Sequence, residues 1–228
     1  MAEYGAVDRV EGTVFRLFFL EDKVLKQRKS VGAVAKTLNR YHRLWGPKKT
    51  FQRALEMVRQ RDRSLRALRE GTLDMALLGD LTFQNDVTVT YDDREYLLAE
   101  PVLQEKMEPL RFFIRRQVQR RELEEVGKRL EDFVNLQREL WMHRLFDTEM
   151  DLRMDYGIDS EGQLRLMDPS VLTDVRDHAE TLIEEPLYLN NDFAFQMKLF
   201  PYLRRIQPLY IEHITDLTYD ELDEYWPA

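Results

Sequence analysis

Cysteine is absent from this 228-residue chain. That excludes disulfide staples, thiolate catalysis and Cys-ligated zinc, and it leaves the redox compartment open. Long apolar runs are missing as well. The longest near the start, Val14 to Leu20, is interrupted by Arg16, whereas a membrane span needs ~20 apolar residues. No cationic leader with an apolar core follows Met1, so nothing marks secretion and the cytoplasm is the expected compartment. Positive charge is not in excess: the formal net charge is −8, which argues against nucleic acid as the default partner, because phosphate binding needs a basic surface. His42, His143, His178 and His213 are scattered without ligand spacing, so zinc is not expected. There is no Gly-x-Ser-x-Gly elbow, no complete P-loop, no internal repeat and no low-complexity linker.

What is present describes a globular protein. Hydrophobic residues make up 43% and charged residues 33% of the chain, a composition that folds and stays in solution. Its length suits one large domain or two small lobes around a proper core. Residues 10 to 29 read as a β-hairpin turning at Glu21-Asp22. Val31, Val34, Leu38, Tyr41 and Trp45 form a helical stripe that stops at Gly46-Pro47. Thr50 is placed to cap a second helix, Phe51 to about Arg69. Met75-Ala-Leu-Leu and the alternating Val87-Thr-Val-Thr-Tyr91 read as strands, and Asp92-Asp93 turns the chain into Tyr96–Val102. Beyond Glu105 the pattern becomes helical, with a long stripe from Glu122 to about Phe146. Helices near Val171–Glu184, Asp192–Ile214 and Tyr219–Tyr225 follow a further hairpin. The order gives an α+β fold in two lobes, a small β-rich one over residues 1–103 and a reduced helical one over residues 104–228.

That further hairpin is the most informative stretch. Asp159-Ser-Glu-Gly162 supplies a tight turn, Leu164 and Leu166 alternate with polar residues, and Asp168 stands where Pro169 ends the strand. A carboxylate is thereby delivered at the tip of an apolar strand. By itself this is equally the pattern of a plain surface hairpin.

The ordered set of motifs resembles the protein-kinase-like fold. Gly12-Thr-Val14-Phe-Arg16 is similar to the close of a glycine-rich loop, although Val7 and Arg9 stand where two glycines are expected. Val24-Leu25-Lys26 resembles the strand bearing the phosphate-gripping lysine, with Lys23 as the alternative register, and Glu56 is the candidate glutamate partner on the following helix. Leu97-Leu-Ala-Glu100-Pro-Val102 is similar to the strand entering the hinge, which implies that backbone groups at Glu100 and Val102 meet adenine. Asp168 matches the metal-binding aspartate of D-F-G, and counting back places Asp155 at the metal-binding asparagine and Met150 at the catalytic aspartate. Asp151, one residue off, is then the candidate base, with Asp147 three residues off. The reduced C-terminal part makes the chain most similar to small bacterial kinase-like proteins (the YrbL-like group of the PhoP regulatory network).

The resemblance implies ATP with Mg²⁺ as cofactors: Lys26 on the phosphates, and Asp155 and Asp168 on the metal. It leaves two functional expectations. One is a kinase-like transferase acting on a protein or small molecule. The other is a pseudokinase or regulatory module that works through protein contacts. Each residue also has a plainer role: a solvated strand-end charge for Lys26, a helix-surface acid beside Arg59 for Glu56, a turn former beside Gly157 for Asp155. The basic run from Arg111 to Arg121 reads as a solvated, ion-paired face, and Arg115 and Arg116 are in position to meet an acidic partner. Phe193, Phe195, Phe200, Tyr202 and Tyr210 read as core. The acidic end, Asp216 to Trp226, reads as a packed terminal helix or a dock for a basic partner.

Overall fold

The computed structural model describes residues 2–41, 45–71, 74–184, 197 and 200–226. Strand alternation organises its first half. β1 (Ala2–Gly5) is followed by β2 (Asp8–Glu11), β3 (Phe15–Phe19) and β4 (Lys23–Arg28). After two helices, α1 (Val31–Tyr41) and α2 (Pro47–Glu70), come β5 (Thr82–Phe83), β6 (Val87–Tyr91), β7 (Arg94–Leu98) and β8 (Val102–Glu105). An antiparallel sheet runs β2-β3-β4-β8-β5, and a smaller one runs β1-β6-β7 with β1 parallel to β6. Because successive side chains leave a strand on opposite faces, Phe18, Leu25 and Leu103 meet Val87, Val89 and Leu98 of the small sheet. The opposite face carries Phe15 and Val102 into the main core.

The second half is helical around one hairpin. β9 (Glu108–Pro109) leads into α3 (Leu110–Arg120) and α4 (Leu123–Met142), whose Val126, Leu130, Phe133 and Trp141 are almost fully buried. Four short strands follow: β10 (Phe146–Asp147), β11 (Tyr156–Ile158), β12 (Leu164–Leu166) and β13 (Leu172–Thr173). The remaining helices are α5 (Arg176–Glu184) and the segments Gln207–Ile214 and Tyr219–Tyr225. The α+β, two-lobed expectation therefore holds. The division expected between residues 103 and 104 falls inside β8, because the chain leaves the large sheet only after Glu105.

Several local expectations change. Met75–Leu78 is a 3-10 turn rather than a strand, since the Asp74 carboxylate accepts the Ala76 N–H at 3.0 Å and Gly79 closes the turn at φ 60°. Helix α2 starts at Pro47, one turn before Thr50, because a proline with no N–H to satisfy fits the first helical position. Helix α4 stops at Met142, and Phe146 pairs in a strand instead of extending it. Leu172–Thr173, expected in a helix, pairs with β10. Within the expected Asp192–Ile214 helix, Pro201–Arg205 forms a 3-10 turn and Gln207–Ile214 a helix, while Phe193 and Phe195 lie outside the described residues. The acidic end is a packed helix: Leu222 and Trp226 are buried, Arg138 pairs with Glu221 at 2.7 Å, and Arg176 binds Asp223 and the Trp226 carbonyl.

Helix α2 joins the two halves through polar side chains on its inner face. The buried Arg61 donates to the carbonyls of Val14 at 3.0 Å and Lys29 at 2.7 Å. Gln60 donates to the Leu172 carbonyl at 2.6 Å, and the Ser64 hydroxyl bonds the same carbonyl. Removing a buried donor leaves its acceptors desolvated and unpaired. Arg61→Ala is expected to lower unfolding free energy by about 2–4 kcal/mol, measured by urea denaturation. Arg59→Ala, on the exposed side of the same helix, should change it by less than about 0.5 kcal/mol.

Candidate functional site

The register of one hairpin builds the site. β11 pairs with β12 so that Tyr156 faces Leu166, which puts Asp155 opposite Met167 one step beyond the ladder. The Asp155 carbonyl accepts both the Met167 N–H at 2.5 Å and the Asp168 N–H at 3.3 Å. Two aspartates 13 positions apart in sequence are thereby held side by side. Gly157 is required here, because a β-carbon on it would lie 2.8 Å from Cβ of Met107 and 2.8 Å from Cγ of Met167. Asp168 then starts a turn by accepting the Ser170 N–H at 2.9 Å and the Ser170 hydroxyl at 2.6 Å.

Lys26 enters from the large sheet. It pairs with Val102 on one side and Leu17 on the other, and its side chain leaves the face opposite Leu25. The ammonium is buried, donates to the Met167 carbonyl and lies 5.9 Å from the Phe15 ring centre. Burial pushes its pKa down, while the charges of Asp168 and Asp155 oppose that shift. Lys23, the alternative register, is exposed and faces elsewhere.

Carboxylates outnumber cations around this point. Asp155 is 3% exposed, and its pKa is raised well above the usual range, first by burial and then by Asp147, Asp168, Glu149 and Asp151. Asp147 is fully buried. Its carboxylate accepts the Tyr156 hydroxyl and the N–H groups of Glu149 at 2.8 Å and Met150 at 3.0 Å. Burial raises its pKa to about 6 against those bonds. Gln137 donates to the Tyr156 hydroxyl at 3.0 Å from the helical side.

Three sequence expectations need correction. Glu56 does not reach Lys26: its side chain is 64% exposed and pairs with Arg53 at 3.4 Å. The helical hairpin inserted after β4 turns that position outward, and the lysine instead bonds the Met167 carbonyl within the electrostatic reach of Asp155 and Asp168. Glu100 is not at a hinge. It occupies an exposed turn at φ 40° and pairs with Arg28 at 2.6 Å. Val102 is 1% exposed within β8, which runs on to Glu105. Asp151 is not free to serve as a base, since Arg153 holds both of its carboxylate oxygens.

Glu149 stands beside the Asp168 turn. With Val14, Glu56, Gln60, Thr148 and Ser170 it borders a cavity of about 360 Å³ beside the Asp168 turn. Sequence reasoning missed Glu149, Arg61 and the Gln60–Ser64 pair, for none has a motif. The Tyr156–Asp147 bond had one weak signal, a tyrosine directly after the candidate metal ligand.

The buried lysine thus stands on the third strand of the sheet β2-β3-β4-β8-β5, and the paired aspartates stand at the ends of β11 and β12. No family model matches the chain, and no curated protein does. Among solved structures it is similar to a 2.2 Å crystal structure of WbdD (11% identity, TM-score 0.45, covering 92% of this chain and 45% of that one). A second structure, of the bifunctional kinase-methyltransferase WbdD, gives 12% identity and a TM-score of 0.40, covering 89% and 42%. The Rv3197–erythromycin complex from Mycobacterium tuberculosis gives 14% identity and a TM-score of 0.37, covering 88% and 53%. The chain thus spans about half the length of these proteins.

The Asp147 shift sets a pH dependence. Its unfolded pKa is 3.8 and its folded value about 6. Between those values the native state keeps a proton that the unfolded chain has released, so stability falls as pH rises from about 4 to about 6 and then levels off. The size is on the order of 3 kcal/mol. In EDTA, Asp147→Asn should flatten much of this slope in melting curves taken from pH 4 to 7, while Asp151→Asn should not.

Proposed function

We propose that this chain is a kinase-like protein that binds a nucleoside triphosphate with Mg²⁺ between the large sheet and the Asp159–Asp168 hairpin. One observation carries the reading: a buried ammonium from β4 and two carboxylates from the hairpin converge, although 129 to 142 positions separate them in sequence. Among the described residues no three His, Cys, Asp or Glu side chains form a protein-only metal cage. Magnesium in nucleotide sites uses one or two carboxylates and completes its shell with phosphate oxygens and water. The donors fit that need. Asp155 is buried among like charges, and among the described residues its carboxylate accepts only the Asp151 N–H, at 3.3 Å.

In this reading Asp155 and Asp168 hold the ion, and Lys26 turns from the Met167 carbonyl toward the phosphates. The bound ion supplies charge neutralisation at the phosphoryl oxygens. Arg61 fixes the Val14 carbonyl and thereby the loop that closes over the site. Glu149, on the cavity beside Ser170, replaces Asp151 as the candidate to accept a proton from an attacking hydroxyl. A second reading, a regulatory pseudokinase, is favoured by Met150 at the family's catalytic position and by Glu56 turned away from Lys26.

A thermal-shift series separates the two. With ATP and Mg²⁺ at about 100 times Kd, binding should stabilise the protein by about 3 kcal/mol, a rise of several degrees in Tm. Asp168→Ala should abolish the rise. No rise with ATP, GTP or their diphosphates would sink the nucleotide reading. If the rise is present, transfer of labelled phosphate that drops ~10²–10⁴-fold in Glu149→Gln identifies an enzyme. Binding without transfer identifies the pseudokinase.

A further inference from the structure

Charge is divided unevenly along the chain. Residues 31–70, the α1–α2 hairpin, contain 11 Lys or Arg and 3 Asp or Glu, a net of +8. The other 188 residues therefore carry 23 and 39, a net of −16. Whole-chain charge conceals this division, so the exclusion of nucleic acid drawn from −8 describes the average surface only.

Helix geometry concentrates the excess. At 100° per residue, Lys48, Arg59, Arg63, Arg66 and Arg69 of α2 fall within about 60° of one line, and all five are exposed. Residues 48 to 69 span about 32 Å at 1.5 Å per residue. The inner face of the same helix is committed to the core through Ala54, Val58, Leu65 and Leu68. Among the described residues, none of Lys48, Arg59, Arg63 and Arg66 takes part in an ion pair. The acids within the same arc are Asp62, bonded to the buried Arg61, and Glu70 at the end of the helix, while Glu56 lies outside it and pairs with Arg53. Unpaired arginines in a row repel one another, an arrangement that costs stability at low salt and favours a ligand carrying regularly spaced negative charge.

Three kinds of anionic partner can be weighed by what else the ridge offers. A protein interface needs a buried apolar or aromatic centre, but the one large hydrophobic residue exposed on α2 is Phe51, at one end. A membrane surface needs an apolar face to insert, and that of α2 is already buried. A single nucleic-acid strand needs stacking aromatics along its track, which the arginine row lacks. A duplex backbone requires only cationic forks on a ridge, and 32 Å is close to one duplex turn.

We infer that the outer face of α2 is a docking ridge for the phosphate backbone of a double-stranded nucleic acid. The contacts are with phosphate and so are independent of sequence. The inference is independent of the nucleotide reading, since no ridge residue belongs to the Lys26–Asp168 site.

The test is fluorescence anisotropy of the full chain with a labelled 24-bp duplex, as DNA and as RNA, between 50 and 300 mM NaCl. Binding should weaken with salt along a log–log slope of about −4 to −5, that is, about −0.9 per phosphate for five contacts. Arg59→Gln/Arg63→Gln/Arg66→Gln should reduce that slope by about 3 without lowering Tm, because all three side chains are exposed and repel one another. The triple Lys variant should retain most of the binding. No duplex binding at 50 mM NaCl, or binding that the Gln variant leaves unchanged, overturns the inference. So does preference for a single strand, for an acidic peptide, or for vesicles containing phosphatidylserine.

Discussion

The Asp155 carbonyl is the point on which the site depends. By accepting two successive N–H groups, those of Met167 and Asp168, it fixes where the second arm of the hairpin ends relative to the first. A slip of one residue would turn Leu164 and Leu166 out of the core and carry Asp168 to the wrong face. The buried leucines therefore police the position of the carboxylate. The Met167 carbonyl, held at the same place, receives the Lys26 ammonium. Backbone bonding thus sets both the acid–acid and the acid–base relations, and the charged groups have little freedom to rearrange.

That fixity has an electrostatic cost. Asp147 and Asp155 are buried with raised pKa values, and Asp151 is held by Arg153. Like charges crowded out of water destabilise a fold unless a proton or a cation relieves them. Asp147 is relieved locally by Tyr156 and two N–H groups. Asp155 has Lys26 as its cationic neighbour, and Asp168 draws on the same ammonium. Two carboxylates sharing one buried lysine are under-compensated by about one charge, the deficit that a divalent cation or a bound proton removes.

How much of this was legible in the sequence follows from what each residue does. The Asp159–Asp168 hairpin was readable because turn chemistry and alternation agree over ten residues. Lys26 entered only through the resemblance of Val24-Leu25-Lys26 to a lysine-bearing strand, because two adjacent apolar residues before it give no alternation to fix its face. Boundaries failed where a local cap competed with a hydrophobic pattern, as at Asp74, whose carboxylate closes a turn around apolar residues that otherwise suit a strand. Tyr96–Val102 was read as one strand, whereas the turn at Glu100-Pro101 separates β7 from β8. Glu56 was misassigned because spacing along a helix gives a face, whereas the direction of that face depends on how the helical hairpin docks.

Helix α2 shows what replaces the missing lysine–glutamate pair. That pair would tie a helix to the sheet by one ionic contact. Here Arg61 reaches back to the carbonyls of Val14 and Lys29, at the edge of the sheet, and Gln60 and Ser64 reach forward to the Leu172 carbonyl, just past the Asp168 turn. Backbone carbonyls accept these bonds, so the connection adds no further acid to a crowded site. A glutamate pointing inward from α2 would raise the carboxylate excess around Lys26 and compete with Asp168 for it. The outward turn of Glu56 and the two inner aspartates on the hairpin are consequently parts of one arrangement: a single buried cation can be shared by the acids of one wall of the cleft, and this fold has placed those acids on the hairpin rather than on the helix.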